Sequence, residues 1–248
     1  MDRIDINCDM GEGMATDGLI MPYITSANIA CGYHAGGEAI IKQTIDLCLQ
    51  HGVKIGAHPS FKDKENFGRK EMRLPLDEIY ALIIQQLVKV DLIAKQKGAK
   101  LHHIKPHGAL YNMSAKDKDI ARTIATAVKD FDETLVLFGL SGSCSITEAK
   151  GIGLQTASEV FADRTYQDDG SLTPRSKENA LIQDVDEAVQ QVMQMVNEKT
   201  VATVSGKKIP IEAETICIHG DSKHAPFFAK AIHESLFQPQ SRQGAKVQ

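Results

Sequence analysis

The sequence predicts an α/β fold built on a parallel sheet of seven strands, and three observations carry that expectation. Short apolar runs alternate with longer helical patterns along the whole chain. The length of 248 residues suits a (β/α) barrel, which commonly runs to about 250 residues as one unit. Several strand candidates also carry polar residues along one face, where a parallel sheet covered on both sides normally reads as a continuous apolar run.

The strand candidates are Arg3–Cys8, Ser26–Cys31, Val53–Ala57, Leu101–Pro106, Thr134–Phe138, Leu154–Val160 and Thr215–His219. Helical patterns fall at Gly37–His51, Leu76–Lys97, Ala115–Asp130, Ser143–Lys150, Lys177–Lys199 and Ala225–Phe237. From Leu76 onward, Ile79, Leu82, Ile83, Leu87, Val90 and Ile93 form a stripe of helical period. This βα repetition with short links points to a parallel sheet. An open doubly wound sheet and a closed barrel both accommodate seven strands, and periodicity does not choose between them. Thr200–Ala213, with Ser205-Gly206 between two β-like runs, breaks the rhythm and reads as an inserted hairpin. With no linker, repeat or low-complexity stretch, one domain is expected over 1–248, with a flexible tail at about 239–248.

Composition narrows the classes. Apolar residues make up 42% and charged residues 24%, ordinary for a soluble domain with a sizeable core. The net charge of -4 comes without a long run of one sign, which argues against nucleic acid or an anionic membrane as partner. There is no Trp, which also disfavours base stacking. Five cysteines without a CxxC pair argue against a disulfide framework and a cysteine zinc site. The opening MDRIDINCDMGEG is acidic and lacks the apolar stretch of a signal peptide, and no run reaches the length of a membrane span. A reduced, cytoplasmic, soluble protein is expected.

The polar faces locate the chemistry. In the first strand Asp5, Asn7 and Asp9 oppose Ile4, Ile6 and Cys8; in the fourth, His103, Lys105 and His107 share a face. In the last, Thr215, Cys217, His219 and Asp221 oppose Ile216 and Ile218. Polar groups on a buried strand are costly unless paired or functional, and a barrel interior opening at its C-terminal mouth gives them a place. The strand ends read Asp9-Met-Gly-Glu12, Cys31-Gly-Tyr-His34, Ala57-His58-Pro-Ser60, Lys105-Pro-His107-Gly, Glu159-Val-Phe-Ala-Asp163-Arg164 and His219-Gly-Asp221. Active sites of parallel α/β folds form at that edge. His34, His58, His107 and His219 are therefore expected to line one site, whereas His51, His224 and His233 are read as structural. Asp9, His34 and His58 form a candidate one-carboxylate, two-histidine set for a divalent metal. No GxxxxGK[ST] or GxGxxG loop is present to cradle a nucleotide phosphate, and HExxH is missing. Gly139-Leu-Ser-Gly-Ser143 narrowly misses a GxSxG elbow and reads instead as backbone N–H groups at a helix start, offered to a substrate carboxylate.

The same residues carry a family resemblance. DINCDMGEG (Asp5–Gly13), ANIACGYHAGGE (Ala27–Glu38), GAHPS (Gly56–Ser60), FGR (Phe67–Arg69), KPHGALYN (Lys105–Asn112), EVFADRTY (Glu159–Tyr166), LTPR (Leu172–Arg175) and ICIHGD (Ile216–Asp221) occur in that order. The sequence resembles the 5-oxoprolinase A-subunit family, also called the LamB/YcsF family, from about Ile4 to Ala231. One departure is visible: the family's Gly-Asp-Pro after the second motif's His-Ala is Gly36-Gly37-Glu38 here, and Glu38 is assigned no role.

The resemblance implies a seven-stranded barrel similar to the glycoside hydrolase/deacetylase superfamily. It also implies ATP-dependent opening of 5-oxo-L-proline to L-glutamate together with subunits B and C, with ATP a cofactor of the complex. Lactam hydrolysis needs a base for water, oxyanion stabilisation and protonation of the leaving nitrogen. Asp9 or Glu12 is expected as base, in a site dry enough to raise its pKa. His34 and His58 would orient water or hold an ion, and Lys105 and His107 would stabilise the oxyanion. His219 would act as acid with Asp221 as its orienter. Asn7, Asn28, Glu159, Asp163 and Arg164 are the expected substrate-binding residues, Arg164 as a fork on the substrate carboxylate. Two other readings are a metal-dependent carbohydrate deacetylase or amidase acting alone, and a non-catalytic lactam-binding subunit.

Overall fold

The computed structural model describes residues 4–220 and 224–237. Asp221 and the expected tail at 239–248 lie outside them. Seven parallel strands close into a barrel: β1 (Asp5–Met10), β2 (Ser26–Ala30), β3 (Lys54–His58), β4 (His103–Ile104), β5 (Val136–Leu140), β6 (Gln155–Phe161) and β9 (Thr215–Ile218). The seam closes where Asp5 of β1 and Glu159 of β6 both pair with Thr215 of β9. β7 (Thr200–Ala202) and β8 (Lys208–Pro210) form a separate antiparallel pair, the inserted hairpin.

The helices are α1 (Asp17–Ile20), α2 (Glu38–His51), α3 (Leu76–Gln96), α4 (Gly108–Lys116), α5 (Lys118–Phe131), α6 (Cys144–Gly151), α7 (Val185–Glu198) and α8 (Ala225–Phe237). The stripe on α3 is buried along its length, and each such Leu or Ile contributes about 1.5–3 kcal/mol relative to an exposed position. Alternation divides each strand: Ile6, Cys8, Ile29, Ala57, Ile104 and Ile216 belong to the apolar core, while their neighbours turn into the barrel. No helix among the described residues is long and apolar enough to cross a membrane.

Three boundaries differ from the sequence reading. The helix expected at Ala115–Asp130 is two helices, because Asp117 is extended and its side chain caps the N–H groups of Asp119 and Ile120. That expected at Lys177–Lys199 begins at Val185, where Asp184 caps Glu187 N–H. The residues before it belong to a loop held by the bridges Arg164↔Leu181 and Tyr166↔Leu172. β4 is only two residues long, yet its backbone pairing continues: His102, Lys105 and His107 donate to the carbonyls of Ile55, Ala57 and Pro59.

Candidate active site

A cavity of about 310 Å³ opens at the C-terminal mouth, and its wall includes Asp9, Glu12, His58, Lys105, His107 and His219. Beneath it lies a polar layer filling the barrel. Asn7 Nδ2 donates to Glu159 Oε1 (2.9 Å) and Thr215 Oγ1 (2.8 Å). Asn28 Nδ2 donates to Asn7 Oδ1 (2.7 Å) and Asp9 Oδ1 (2.9 Å), and its own oxygen accepts from His103 Nε2 at 2.9 Å. His103 stacks on Phe138 with ring centroids 4.2 Å apart. Gly56 makes room for that ring, since a Cβ there would lie 2.1 Å from His103 Nε2.

Lys105 stands on this layer. Its ammonium is 2.8 Å from Glu159 Oε1 and 3.0 Å from each of Asp9 Oδ1 and Cys217 Sγ. Burial works against its charge, but Asp9, Cys217 and Glu159 outweigh burial and push the pKa well up, so the ammonium persists. For Asp9, burial would raise the carboxyl, but its charged neighbours, the Lys105 ammonium at 3.0 Å among them, more than offset it and hold Asp9 well below the usual carboxylate range. The expected raised pKa of Asp9 is therefore corrected to a lowered one.

Above Asp9 the side chains of Glu12, His34, His58 and His107 converge. His58 Nδ1 lies 2.7 Å from Lys105 O and His107 Nε2 lies 2.9 Å from Phe67 O. A carbonyl only accepts, so both nitrogens carry the proton. His34 Nδ1 is 2.8 Å from Ser60 Oγ, which donates its single proton to Phe61 O, so His34 Nδ1 is also a donor. The other ring nitrogens turn inward: His58 Nε2 to His107 Nδ1 (2.9 Å), His34 Nε2 to Glu12 Oε1 (3.0 Å), and His107 Nδ1 to Glu12 Oε1 (3.5 Å). His34 and His107 stack in parallel at 3.8 Å. Burial lowers the pKa of both, and for His107 the neighbouring imidazoles lower it well below the ordinary value. Phe67, which supplies the carbonyl for His107, stands at φ 54°, a conformation non-glycine residues adopt only at some cost. The donor atoms of these four residues all lie within 4.8 Å of one another, so the cluster can hold a metal ion. A second group, Asp9, Cys217 and His219, is equally compact. There the Lys105 ammonium already occupies the space beside Cys217, and burial raises that thiol well above its ordinary pKa.

Across the cavity, His219 Nδ1 meets both oxygens of Asp163, at 2.9 and 3.0 Å, with the ring stacked on Phe161. Burial would raise the Asp163 carboxyl, but His219 outweighs it and the net shift is downward. Among the described residues the side chain that orients His219 is Asp163, a residue expected to touch substrate; Asp221, the expected orienter, lies outside them.

Several other expected contacts are relocated. Asn7, Asn28 and Glu159 are fully buried in the supporting layer and are not part of the cavity wall. Arg164 lines the cavity and gives Nη2 to the Thr173 carbonyl (2.6 Å) and Nε to the Ala180 carbonyl (3.3 Å), fastening the loop over the mouth. Burial and the charge of Arg175 bring its pKa down to about 10. His107 presents a lone pair to the site and has no proton left for an oxyanion. The N–H groups of Ser141 and Ser143 are bound to the carbonyls of Glu159 and Leu140, so that loop offers neither to a carboxylate. Glu38 is exposed at the start of α2, paired with Lys42 at 2.6 Å. Ser60 and Phe67, which fix two imidazoles, and Arg69, Tyr111, Asn112 and Arg175, which line the cavity, were not singled out from sequence. All six lie inside the GAHPS, FGR, KPHGALYN and LTPR motifs, which is the signal that held them.

Comparison with known proteins agrees with this architecture. The LamB/YcsF family model matches residues 4–247. A protein named as the A subunit of 5-oxoprolinase, from Tolumonas auensis, is 51% identical over 243 residues, covering 96% of this chain and 97% of that one. The crystal structure of a lactam utilization protein from Thermus thermophilus superposes with a TM-score of 0.89 at 40% identity, covering 94% and 96% of the two chains. A family 4 carbohydrate esterase from Streptomyces lividans shares the fold alone, with a TM-score of 0.50 at 12% identity over 94% of this chain and 87% of that one. With a family model matched over nearly its whole length and a relative half identical to it, this chain belongs to the LamB/YcsF family.

Proposed function

We propose that this chain is the lactam-opening A subunit of a 5-oxoprolinase, converting 5-oxo-L-proline to L-glutamate with ATP hydrolysis in concert with subunits B and C. The observation that carries the reading is one small cavity faced by two devices: the buried Asp9–Lys105–Glu159 charge group and the His219–Asp163 pair. Its volume of about 310 Å³ sits at the low end for small-molecule sites. The names carried by the relatives supply the substrate class: lactam utilization protein and 5-oxoprolinase A subunit.

Hydrolysis forms one C–O bond and breaks the ring C–N bond. Glu12, on the cavity wall, takes a proton from the attacking water. Asp9 is held ionised and so is a poor base; it fixes Lys105 instead. All the nearby acceptors of Lys105 are protein groups, so its positive charge acts on the developing oxyanion through space. Asp163 holds His219 Nδ1–H, which turns Nε2 to the cavity as the proton donor for the leaving nitrogen. Arg164 and Arg175, both on the same wall, are the cationic partners for the substrate carboxylate. ATP is read as a reactant of the complex, in keeping with a sequence that carries no GxxxxGK[ST] loop. The five free cysteines suit a reducing, cytoplasmic setting.

ATP-coupled glutamate formation from 5-oxoproline, with this chain added to or omitted from subunits B and C, tests the reading. Activity is expected only in the complete mixture. Equal turnover without this chain would remove it from the reaction, and deacetylation of a carbohydrate by this chain alone would replace it.

A further inference from the structure

We propose that Glu12, His34, His58 and His107 bind one divalent transition-metal ion, with zinc the ion that best matches the ligand set. The argument is a count of protons. Each of the three imidazoles donates its N–H away from the cluster, to Ser60 Oγ, Lys105 O and Phe67 O. What remains at the centre is three nitrogen lone pairs and a carboxylate, with contacts of 2.9 Å (His58–His107), 3.0 Å (Glu12–His34) and 3.5 Å (Glu12–His107). Acceptors facing acceptors at such distances, almost sealed from solvent, repel one another and lack the hydrogen bonds that buried polar groups require. A bridging water brings two protons to four acceptors. A cation satisfies all four at once.

The spacing suits the ion. Zinc bonds to histidine nitrogen and carboxylate oxygen at about 2.0–2.2 Å, so ligand atoms of a tetrahedral site stand roughly 3.3–3.5 Å apart. The observed contacts bracket that value. The Ser60 hydroxyl and the Lys105 and Phe67 carbonyls, which accept the outward N–H groups, are the kind of partners that orient metal-binding imidazoles. Imidazole-rich sets favour zinc and its transition-metal neighbours over magnesium or calcium.

The ligand set differs from the Asp9, His34 and His58 expected from sequence. Asp9 stays beside the cluster, with Oδ2 3.3 Å from His58 Nε2, but Lys105 and Asn28 already hold its other oxygen. Glu12, His58 and His107 also face the cavity, so one side of the ion would be open to a small oxygen ligand. That side is where the protein offers no proton from Lys105 or His107. The inference rests on side-chain geometry; it shares Glu12 with the lactam reading, the ion taking Oε1, which faces His34 and His107, and leaving Oε2 as the base.

The full chain, dialysed against chelator, is titrated with Zn²⁺ by calorimetry and with Co²⁺ by visible absorption. The expected result is one equivalent bound per chain, a cobalt d–d band and a raised Tm. Glu12→Gln weakens binding at least about ten-fold, His107→Gln abolishes it, and Asp9→Asn still binds one equivalent. If His107→Gln does not fold, zinc protection of the wild-type histidines from diethyl pyrocarbonate, read by mass spectrometry, takes its place. Absence of saturable binding overturns the proposal, as does one-equivalent binding unchanged by both Glu12→Gln and His107→Gln, or histidines that zinc leaves unprotected. None of these results depends on lactam turnover.

Discussion

Two polar layers stacked inside the barrel end in opposite states. In the lower one, the Asn7 and Asn28 amides and the His103 ring each give their protons to a buried oxygen. In the upper one, every imidazole gives its proton outward, and lone pairs meet at the centre. The lower layer is closed and supports Lys105. The upper layer is left open on the cavity side. A buried polar group that is satisfied belongs to the structure, and a set left unsatisfied in common marks the place for something else to bind.

Lys105 joins the two layers, so removing it has the largest expected effect. Lys105→Met strands the Asp9 and Glu159 carboxylates in the interior. Urea unfolding should show a loss of about 3–5 kcal/mol, with lactam turnover in the reconstituted complex down by a factor on the order of 1000 or more. Near-native stability would mean that Lys105 does not hold the two carboxylates in place.

His219 probes the cavity without touching either layer's internal hydrogen bonds. His219→Gln and Asp163→Asn should each lower kcat by about 10²–10⁴-fold while stability changes by no more than about 1 kcal/mol. If Asp163→Asn kept full kcat, the pair would have no orienting role.

The lower layer alone is broken by Gly56→Ala, whose added Cβ would collide with His103 at 2.1 Å. A destabilisation of at least about 1–3 kcal/mol is expected in thermal or urea unfolding. No loss would mean that the His103 ring has room to move.

A pH titration sharpens the same contrast. Burial, reinforced by the charges of His102 and Lys105, holds His103 well below its ordinary value of 6.5. Below that pH the unfolded chain binds a proton that the folded chain refuses. Stability should therefore fall as pH drops from 6.5, with a slope of up to about 1.4 kcal/mol per pH unit from this residue, and stay level above it. His103→Gln should flatten that part of the slope. The smallest effect belongs to Glu38, exposed on α2 and paired with Lys42. Glu38→Ala is expected to alter stability by less than about 0.5 kcal/mol and turnover not at all.

Much of this is readable from residues. The strand positions and the hairpin follow from local period, and the polar faces of β1, β4 and β9 name the barrel lining without knowledge of its closure. The misreadings have one cause in common. Asp163, expected at the substrate, stands 2.9 Å from His219 because the fold joins residues 56 positions apart in sequence. Arg164 lines the cavity as expected, but its hold on the Thr173 carbonyl is not visible in sequence. Asp9 looked like a base until Lys105, 96 residues away, fixed its charge.

The sequence by itself determined which residues alternate into the barrel and that ionisable groups gather at its mouth. Side-chain period and turn chemistry are properties of a few neighbouring residues, so a linear reading reaches them. Tertiary structure alone decided which nitrogen of each histidine carries its proton. That choice depends on the acceptor opposite: Phe67 O for His107, Lys105 O for His58, and the Ser60 hydroxyl for His34. Those partners lie 40, 47 and 26 residues away along the chain, and only the closed barrel brings them into contact.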